Sequence, residues 1–316
     1  MKVLVAGGAG YIGSSVVKSL IDDGHTAVSF DNSTRGSYEY LAKYRDNPRL
    51  RLIAGDIRNL KELEEVVSSQ IFDSIVNLAA IPGMERCRKD PESAISTNVY
   101  GTYNLLEVAR KYDINKVIFV SSAAVYGKPV EVPVTEEHPL DPLNLYGVTK
   151  LAGERIVHSY HVDYNLTTVI LRLGNVYGVG VYSYWETVIP KFVKRALEDL
   201  PLTVYGTGEQ SRDFIHVLDV VQAIRLALEA KDSAVADEIF NVSSGKALSV
   251  NTIVELIRRY VEESVRLERL PIRTGEPYIP NFQISIAKIK NKLHFRPLWD
   301  IEKGVAQLVQ YKRNGK

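Results

Sequence analysis

The sequence has few of the features that mark secreted, membrane-bound and nucleic-acid-binding proteins. Its one cysteine, Cys87, leaves no internal disulfide framework and no cysteine-rich zinc site. Lys and Arg number 39 against 38 Asp and Glu, a formal net charge of +1, so no overall field attracts nucleic acid or an anionic membrane. No apolar run reaches the roughly 20 residues of a membrane-spanning helix, and the opening residues run directly into a glycine turn instead of an apolar signal core. We therefore expect a cytoplasmic protein that binds neither nucleic acid nor membrane.

Metal ligands are also scarce. The chain has six histidines, and His158 and His161, with Asp163 nearby, are the only start of a ligand cluster. A zinc site needs three or four such side chains brought together. We predict no metal site.

Short apolar runs alternate with stretches of helical period in the first half of the chain. The apolar runs lie at 2–6, 27–30, 51–54, 74–79, 116–121 and 167–172, and stretches of helical period include 11–23, 92–111 and 145–161. Alternation of this kind indicates parallel strands joined by crossover helices. The fold class we predict is α/β, a Rossmann-type, doubly wound parallel sheet.

A glycine-rich segment, AGGAGYIG, places Gly7, Gly10 and Gly13 between the first strand and the first helix. Such glycines make a tight turn, let the backbone approach a pyrophosphate and allow close helix–strand packing. The helix N-terminus then offers free N–H groups to the phosphates. Asp31 follows at the end of the second strand, where a carboxylate accepts hydrogen bonds from an adenosine ribose and repels a 2′-phosphate. The pattern predicts a dinucleotide site that prefers NAD, and Arg35 nearby leaves the opposite preference, for NADP, open.

Beyond about residue 175 the regular alternation ends. Short strands at 202–205 and 238–242 are mixed with helices near 186–199, 216–230 and 250–262, and no Gly/Ser linker separates the two halves. We predict an NAD-binding Rossmann domain over 1–174 and a smaller, interleaved α/β substrate-binding domain over 175–316. The helix at 216–230 is expected to return to the first domain.

Tyr146 and Lys150 stand four residues apart in the segment YGVTK, so on a helix they share one face. An unperturbed tyrosine has a pKa of about 10, too high for a base at neutral pH. A nearby ammonium and a nicotinamide cation would stabilise the phenolate and lower that pKa. Ser122 ends the fifth strand, where doubly wound sheets bind ligands, and can hydrogen-bond the same substrate oxygen. These three residues are the predicted catalytic group.

The sequence resembles the extended short-chain dehydrogenase/reductases, specifically the NAD-dependent sugar epimerase/dehydratase family, over nearly its full length. The matching segments are AGGAGYIGS, GDIRN, NLAA, TNVYGT, SSAAVYG and YGVTK. The resemblance implies NAD as cofactor and puts Ser122, Tyr146 and Lys150 on the family's catalytic positions. It implies cofactor contacts or support from Gly7, Gly10, Tyr11, Ile12, Gly13, Asp31, Asn32, Asp56, Ile57, Leu78, Ala79, Ala80, Asn98, Ser121, Tyr146 and Lys150. Within that set, Asn98 would support the helix that carries the tyrosine.

Three later segments resemble the nucleotide-sugar binding elements of the same family. LRLGNVYG contains Asn175, VYGTGEQSRDFIHVLDV contains Arg212, and RTGE contains Arg273. The amide of Asn175 would contact the sugar diphosphate, and the two guanidinium groups suit paired hydrogen bonds to phosphate oxygens. Ser122 and Tyr146 would contact the sugar itself. The expected substrate is a nucleotide sugar, with a UDP-hexose as the default.

Alanines at 123 and 124 follow the catalytic serine. Dehydratases and decarboxylases of this family carry Asp or Glu there to shuttle the protons of an elimination, which a methyl group cannot do. This departure favours an isomerase: a 4-epimerase that makes a transient 4-keto sugar, with UDP-glucose and UDP-galactose as the default pair. An epimerase of another nucleotide sugar (UDP-N-acetylhexosamine or UDP-glucuronate), a nucleotide-sugar reductase and a non-catalytic cofactor sensor are the alternatives.

Two further expectations concern surfaces. The resemblance implies a homodimer, in which the helix at 92–111 and the helix carrying Tyr146 form a four-helix contact. The basic run Arg86, Arg88 and Lys89 is interpreted as a solvated turn, with a place beside the cofactor phosphates as the alternative.

Overall fold

A computed structural model describes residues 1–180, 185–261, 265–272 and 278–315. The strands in these ranges are β1 (Lys2–Ala6), β2 (Thr26–Asp31), β3 (Leu50–Ala54), β4 (Ser74–Asn77), β5 (Lys116–Ser122), β6 (Thr167–Leu173), β7 (Asn175–Tyr177), β8 (Leu202–Tyr205), β9 (Ser211–His216), β10 (Glu238–Val242), β11 (Ala247–Ser249), β12 (Leu267–Leu270) and β13 (Asn281–Phe282).

The α-helices are α1 (Tyr11–Asp22), α2 (Leu60–Ser68), α3 (Met84–Lys89), α4 (Pro91–Ile95), α5 (Gly101–Lys111), α6 (Leu145–Tyr164), α7 (Val188–Leu197), α8 (Val217–Glu229), α9 (Asp232–Val235), α10 (Val250–Val261), α11 (Ala287–Leu293) and α12 (Ile301–Arg313). A π-helical turn, Ser96–Tyr100, joins α4 to α5, and 3-10 helices cover Tyr38–Tyr44 and Ala123–Tyr126. None of the helices in the described ranges is long and apolar enough to span a bilayer.

The central sheet has the strand order β10-β6-β5-β4-β1-β2-β3, and every neighbouring pair is parallel. From β1 the chain winds outward to β3, then crosses to β4 and winds the other way. The predicted α/β fold with a Rossmann-type doubly wound sheet is confirmed. In such a sheet the crevice opens where the winding direction reverses, at the carboxyl ends of β1 and β4.

Alternating side chains of each strand bury themselves in separate cores on the two faces of the sheet. Val3 and Val5 of β1 pack with residues of α1 and α8 on one face. Leu4 and Ala6 face the other way and pack with residues of α2, α5 and α6. Fully burying a Val or Leu side chain stabilises the fold by about 1.5–3 kcal/mol, so both helix layers are held mainly by this apolar contact.

The second half of the chain contributes to both lobes. β10 pairs in parallel with β6 as the edge strand of the central sheet, and α8 packs against α1, β5 and β6. A separate core forms around α7, α10 and α12, beside the pair β8–β12 and the small sheet that contains β7, β9, β11 and β13. The sequence analysis predicted that α8 packs with the first domain, but it did not predict that β10 joins the central sheet. The division of the chain at residue 174 stays a prediction.

Candidate active site

A cavity of about 1250 Å³ opens at the carboxyl ends of the central strands and is bounded on its far side by the second lobe. Seventeen of the predicted site residues line it: Gly7, Gly10, Tyr11, Ile12, Gly13, Asp31, Asn32, Asp56, Ile57, Leu78, Ala79, Ala80, Ser121, Ser122, Tyr146, Lys150 and Asn175. The fold therefore brings together residues that the sequence spreads over 169 positions, from Gly7 to Asn175.

Two positions of the glycine-rich segment, Gly7 in the turn after β1 and Gly13 in the first turn of α1, have no room for a side chain. Gly7 has φ of +79°, and a Cβ there would lie 2.7 Å from the backbone nitrogen of Ala79. A Cβ on Gly13 would lie 2.0 Å from the carbonyl oxygen of Gly7. The first turn of α1 carries no acidic side chain, so its free N–H groups favour an anion. This cradle fits the pyrophosphate of a dinucleotide.

Two carboxylates, Asp31 and Asp56, line the same crevice beyond the carboxyl ends of β2 and β3. Asp31 accepts hydrogen bonds from the backbone N–H groups of Ala9 (3.0 Å) and Ser33 (2.7 Å), and burial raises its pKa. Asp56 accepts a bond from Arg58, with 2.6 Å between Nη2 and Oδ2, which lowers its pKa to about 2. Each bond to Asp31 uses one of its several acceptor positions. The remaining lone pairs of the Asp31 carboxylate can accept hydrogen bonds from ribose hydroxyls.

The predicted catalytic side chains occupy the base of the cavity. α6 begins after Asn144, whose side chain accepts the N–H of Gly147 (3.0 Å), and its first turns bring Tyr146 and Lys150 to the cavity wall. The side chain of Lys150 is buried, and its Nζ lies 4.3 Å from the centroid of the Phe119 ring. Burial lowers the pKa of Lys150 to about 8, against the opposing effect of Glu154. At neutral pH the lysine is thus a buried cation that can stabilise a phenolate beside it.

Asn98 does not line the cavity but joins two of its walls. Its side chain accepts the N–H of Ile81 (2.7 Å) and donates to the hydroxyl of Thr149 (2.9 Å). That hydroxyl donates to the carbonyl of Tyr146 (2.8 Å). The π-helical turn that carries Asn98 thus connects the loop after β4 to the first turn of α6. That Asn98 supports the helix carrying Tyr146 for cofactor binding stays a prediction.

A buried ion pair lies directly behind this wall. Glu154, one turn beyond Lys150 on α6, receives three hydrogen bonds from Arg172 of β6: Nε to Oε1 at 3.0 Å, Nε to Oε2 at 3.2 Å and Nη2 to Oε2 at 2.7 Å. Ser121 donates to the same carboxylate at 2.5 Å, and Arg172 also donates to the hydroxyl of Tyr126 at 3.0 Å. The exposed fractions of the Arg172 and Glu154 side chains are only 2% and 3%. The pair therefore locks α6 to β5 and β6 just below the catalytic residues.

We expect the Lys150→Met variant to be more stable than the wild type at pH 7, by about 1–3 kcal/mol, because it removes a buried cation that folding desolvates. In the folded protein the pKa of Lys150 is about 8 and its ordinary value is 10.5. Between these values the unfolded chain holds more protons, so wild-type stability rises with pH. The penalty is fully present below pH 8 and disappears above about pH 10.5.

Urea unfolding of both proteins at several pH values measures this difference. The stability advantage of Lys150→Met should shrink steadily from pH 8 to pH 10. An advantage that does not change over this range would contradict the assignment of the buried charge to Lys150. Lys290 lies on the exposed face of α11, so Lys290→Met serves as the control and should leave the pH dependence unchanged.

The predicted substrate residues have different placements. Asn175 of β7 lines the cavity, and its Nδ2 donates to the carbonyl of Asp213 at 3.2 Å. Arg212 of β9 lies beside the cavity instead of lining it, and its Nη1 donates to the carbonyls of Ser211 (2.7 Å) and Ile279 (2.9 Å). Arg273 lies outside the described residues. Phosphate binding by these two arginines stays a prediction.

The basic run is exposed to solvent at Arg88 and Lys89, as its interpretation as a solvated turn requires, but it is helical and not a turn. The residues form helix α3, and Arg86 and Lys89 line the cavity, where Arg86 forms an ion pair with Glu186. The local sequence signals for this helix were Gly83, which precedes it, and Asp90, which follows it and caps α4. The sequence also did not indicate the segment Trp185–Ile189, which lines the cavity from the second lobe. Its partners lie about 100 residues away in the chain, so no local pattern marks it.

Comparison with known proteins gives matches over the whole chain. The profile of the NAD-dependent epimerase/dehydratase family matches residues 3–243. A putative UDP-glucose 4-epimerase of Methanocaldococcus jannaschii is 35% identical over 314 residues, covering 99% of this chain and 98% of the relative.

Solved structures also superpose on this chain over its full length. A UDP-glucose 4-epimerase from Thermotoga maritima, solved with UDP-glucose, superposes with a TM-score of 0.90 at 30% identity, over 100% of this chain and 99% of the other. A UDP-glucuronic acid 4-epimerase from Bacillus cereus, solved with UDP-glucuronic acid and NAD, gives a TM-score of 0.90 at 29% identity, over 100% of both chains.

Proposed function

The chain belongs to the NAD-dependent epimerase/dehydratase family, and we propose that it is a nucleotide-sugar 4-epimerase that interconverts UDP-glucose and UDP-galactose. NAD is its cofactor. The observation that supports the proposal most is the group of Ser122, Tyr146 and Lys150 at the cavity base, followed by alanines at 123 and 124. The same reaction is named for the relatives from M. jannaschii and T. maritima.

NAD bound in the glycine cradle would supply the reversible hydride acceptor for C4 of the sugar. The chain's own residues then have three tasks. Tyr146, as phenolate, takes the proton of the sugar 4-hydroxyl and later returns it to the 4-oxygen of the keto sugar. The Lys150 ammonium stabilises that phenolate, and Ser122 donates a hydrogen bond to the sugar oxygen. The apolar lining from Leu173 and Val176 leaves the 4-keto sugar free to turn over in the cavity.

The acid–base groups that line the cavity favour epimerisation over dehydration. Elimination of water from the sugar needs an additional acid and base near C5 and C6. The carboxylates among the described lining residues are Asp31, Asp56, Asp90 and Glu186. Asp31, Asp56 and Asp90 belong to the loops and cap near the adenosine end, and Glu186 forms an ion pair with Arg86. The residues that directly follow Ser122 contribute only methyl groups.

The test is to incubate the purified protein with UDP-galactose, without added cofactor, and to follow the sugar by proton NMR. We expect UDP-glucose to appear at a catalytic rate, because NAD is regenerated in each cycle and stays bound. A Tyr146→Phe preparation purified in the same way controls for contaminating epimerase. Absence of turnover even after adding NAD would reject this substrate pair. A panel of UDP-N-acetylhexosamines and UDP-glucuronate, the sugar named for the B. cereus structure, would then identify another epimerase.

We also propose the remaining contacts of the predicted site. The cavity-lining residues from the glycine turn, β2, β4 and β5 would hold NAD, and Asn175, Arg212 and Arg273 would hold the sugar nucleotide. For Arg212 this requires its guanidinium to leave the carbonyls of Ser211 and Ile279, with which it pairs in this structure.

The proposed homodimer has structural support from one apolar surface. Exposed hydrophobic side chains lie along α4, the π-helical turn, α5 and α6, namely Ile95, Tyr100, Tyr103, Val148, Val162 and Tyr164. An apolar patch of this kind on a water-soluble surface marks an interaction site. Sedimentation velocity at micromolar concentration tests the proposal, and a monomer at every concentration would contradict it. Tyr103→Arg should weaken the dimer.

A further inference from the structure

The side chain of Tyr11 connects the start of helix α1, next to the glycine-rich turn, to the second lobe. Tyr11 is the first residue of α1 and lines the cavity. Its hydroxyl donates to the carbonyl of Gly178 at 2.8 Å, across 167 residues of sequence. Burial raises the pKa of this phenol, so it stays protonated and able to donate.

The ring of Tyr11 makes a second contact with the turn at 178–180, to which Gly178 belongs. A Cβ on Gly180 would lie 2.8 Å from ring carbons Cδ2 and Cε2 of Tyr11, so only glycine fits beneath the ring. On the other side, Gly178 has φ of +123°, and a Cβ there would lie 2.6 Å from Nε2 of His216. His216 is itself fixed, stacked on Trp299 with 4.0 Å between ring centroids and bonded to Gln307 at 3.0 Å. The turn at 178–180 is therefore held between a rigid histidine and Tyr11.

This turn lies next to the part of the cavity wall that contacts the nucleotide sugar in the proposed function. It directly follows β7, which carries Asn175 and pairs with β9 over only three residues. Shortly after the turn, Trp185–Ile189 line the cavity from the second lobe. A short strand with few ladder bonds depends on contacts at its end for its position. Tyr11 supplies such a contact from the helix whose N-terminus would receive the cofactor phosphates.

We propose that Tyr11 is a positioning residue for nucleotide-sugar binding: its phenol ties the turn at 178–180 to helix α1 and so places the Asn175 wall relative to bound NAD. This inference rests on the proposed function, because it assigns that wall to the sugar nucleotide. The single hydrogen of the Tyr11 hydroxyl is donated to the carbonyl of Gly178, so it is not used for the cofactor. Loss of the hydroxyl should therefore affect the substrate and leave NAD in place.

The test compares Tyr11→Phe with the matched control Tyr38→Phe. Tyr11→Phe keeps the ring against Gly180 and removes only the bond to Gly178. Tyr38→Phe removes an equivalent phenol-to-carbonyl bond, to Ile53 at 3.1 Å, in the same lobe. We expect Tyr11→Phe to raise KM for the nucleotide sugar about three- to tenfold, with kcat and NAD content within twofold of the wild type. The control Tyr38→Phe should match the wild type in KM, kcat and NAD content.

Hydrogen–deuterium exchange provides a readout that does not depend on turnover. Amides of residues 176–180 should exchange faster in Tyr11→Phe than in the wild type and in Tyr38→Phe. Unchanged exchange there, or an unchanged KM, would overturn the proposal. A fall in NAD content instead of a rise in KM would also overturn it, since Tyr11 would then act on the cofactor.

Failure of the proposed function is distinguishable from failure of this inference. If the wild-type protein converts no nucleotide sugar, the epimerase assignment fails, and calorimetric titration with UDP still decides the role of Tyr11. A three- to tenfold weaker affinity of Tyr11→Phe for UDP supports the positioning role. Equal affinities of the variant and the wild type overturn it.

Discussion

Replacing Tyr146 with phenylalanine is expected to lower kcat for epimerisation by about 10²- to 10⁴-fold, the usual contribution of a positioned acid–base group. Phenylalanine keeps the ring in the cavity wall but cannot take the proton of the sugar hydroxyl. The hydrogen bonds that hold the first turn of α6, through Asn144 and Thr149, involve the backbone and not the phenol. NAD binding and stability should therefore stay close to those of the wild type.

Steady-state kinetics with UDP-galactose, together with the NAD content of the purified variant, measure this effect. The loss should appear in kcat with KM changed less than threefold, because the proton transfer belongs to the chemical step. Tyr38→Phe, which removes a phenol-to-carbonyl bond to Ile53, is the control for loss of a tyrosine hydroxyl elsewhere. Full turnover by Tyr146→Phe would reject the mechanism, and loss of NAD from the variant would show that the tyrosine acts in cofactor binding instead.

Replacing Arg172 with methionine should destabilise the protein by about 3–5 kcal/mol, because it leaves the Glu154 carboxylate buried without its cationic partner. Ser121 alone cannot compensate that charge, although it donates a hydrogen bond to it at 2.5 Å. The double variant Glu154→Leu/Arg172→Met should recover much of the loss, since an apolar pair of similar volume needs no desolvated charge. Urea unfolding curves of the three proteins measure these differences.

An exposed ion pair is the control for this prediction. Arg258 and Glu255 lie 2.7 Å apart on α10, with 39% and 60% of their side chains exposed. Arg258→Met should cost less than about 1 kcal/mol, because water screens such pairs. A similar loss of stability in Arg258→Met and Arg172→Met would contradict the argument from burial. A double variant as unstable as Arg172→Met would show that the site needs the ions themselves.

Several interactions of the site were accessible only from the tertiary structure. Glu154 and Arg172 are 18 residues apart on different elements, and each is an ordinary charged residue in the sequence. Tyr11 and Gly178 are separated by 167 residues. The strand Glu238–Val242 joins the sheet beside β6 through pairing with residues about 70 positions earlier. No periodicity or turn signal marks such contacts, because they depend on how whole elements pack.

The sequence by itself determined the elements whose causes are local. Apolar runs with crossover helices require a parallel sheet, the glycines of AGGAGYIG require the turn at the first strand, and a spacing of four places Tyr146 and Lys150 on one helical face. Only the tertiary structure decided that Lys150 is buried, that Arg86 and Lys89 line the cavity, and that Arg212 faces carbonyls beside it. Burial and the direction of a side chain depend on packing between distant segments, and that packing sets the pKa of Lys150 and the shape of the sugar wall.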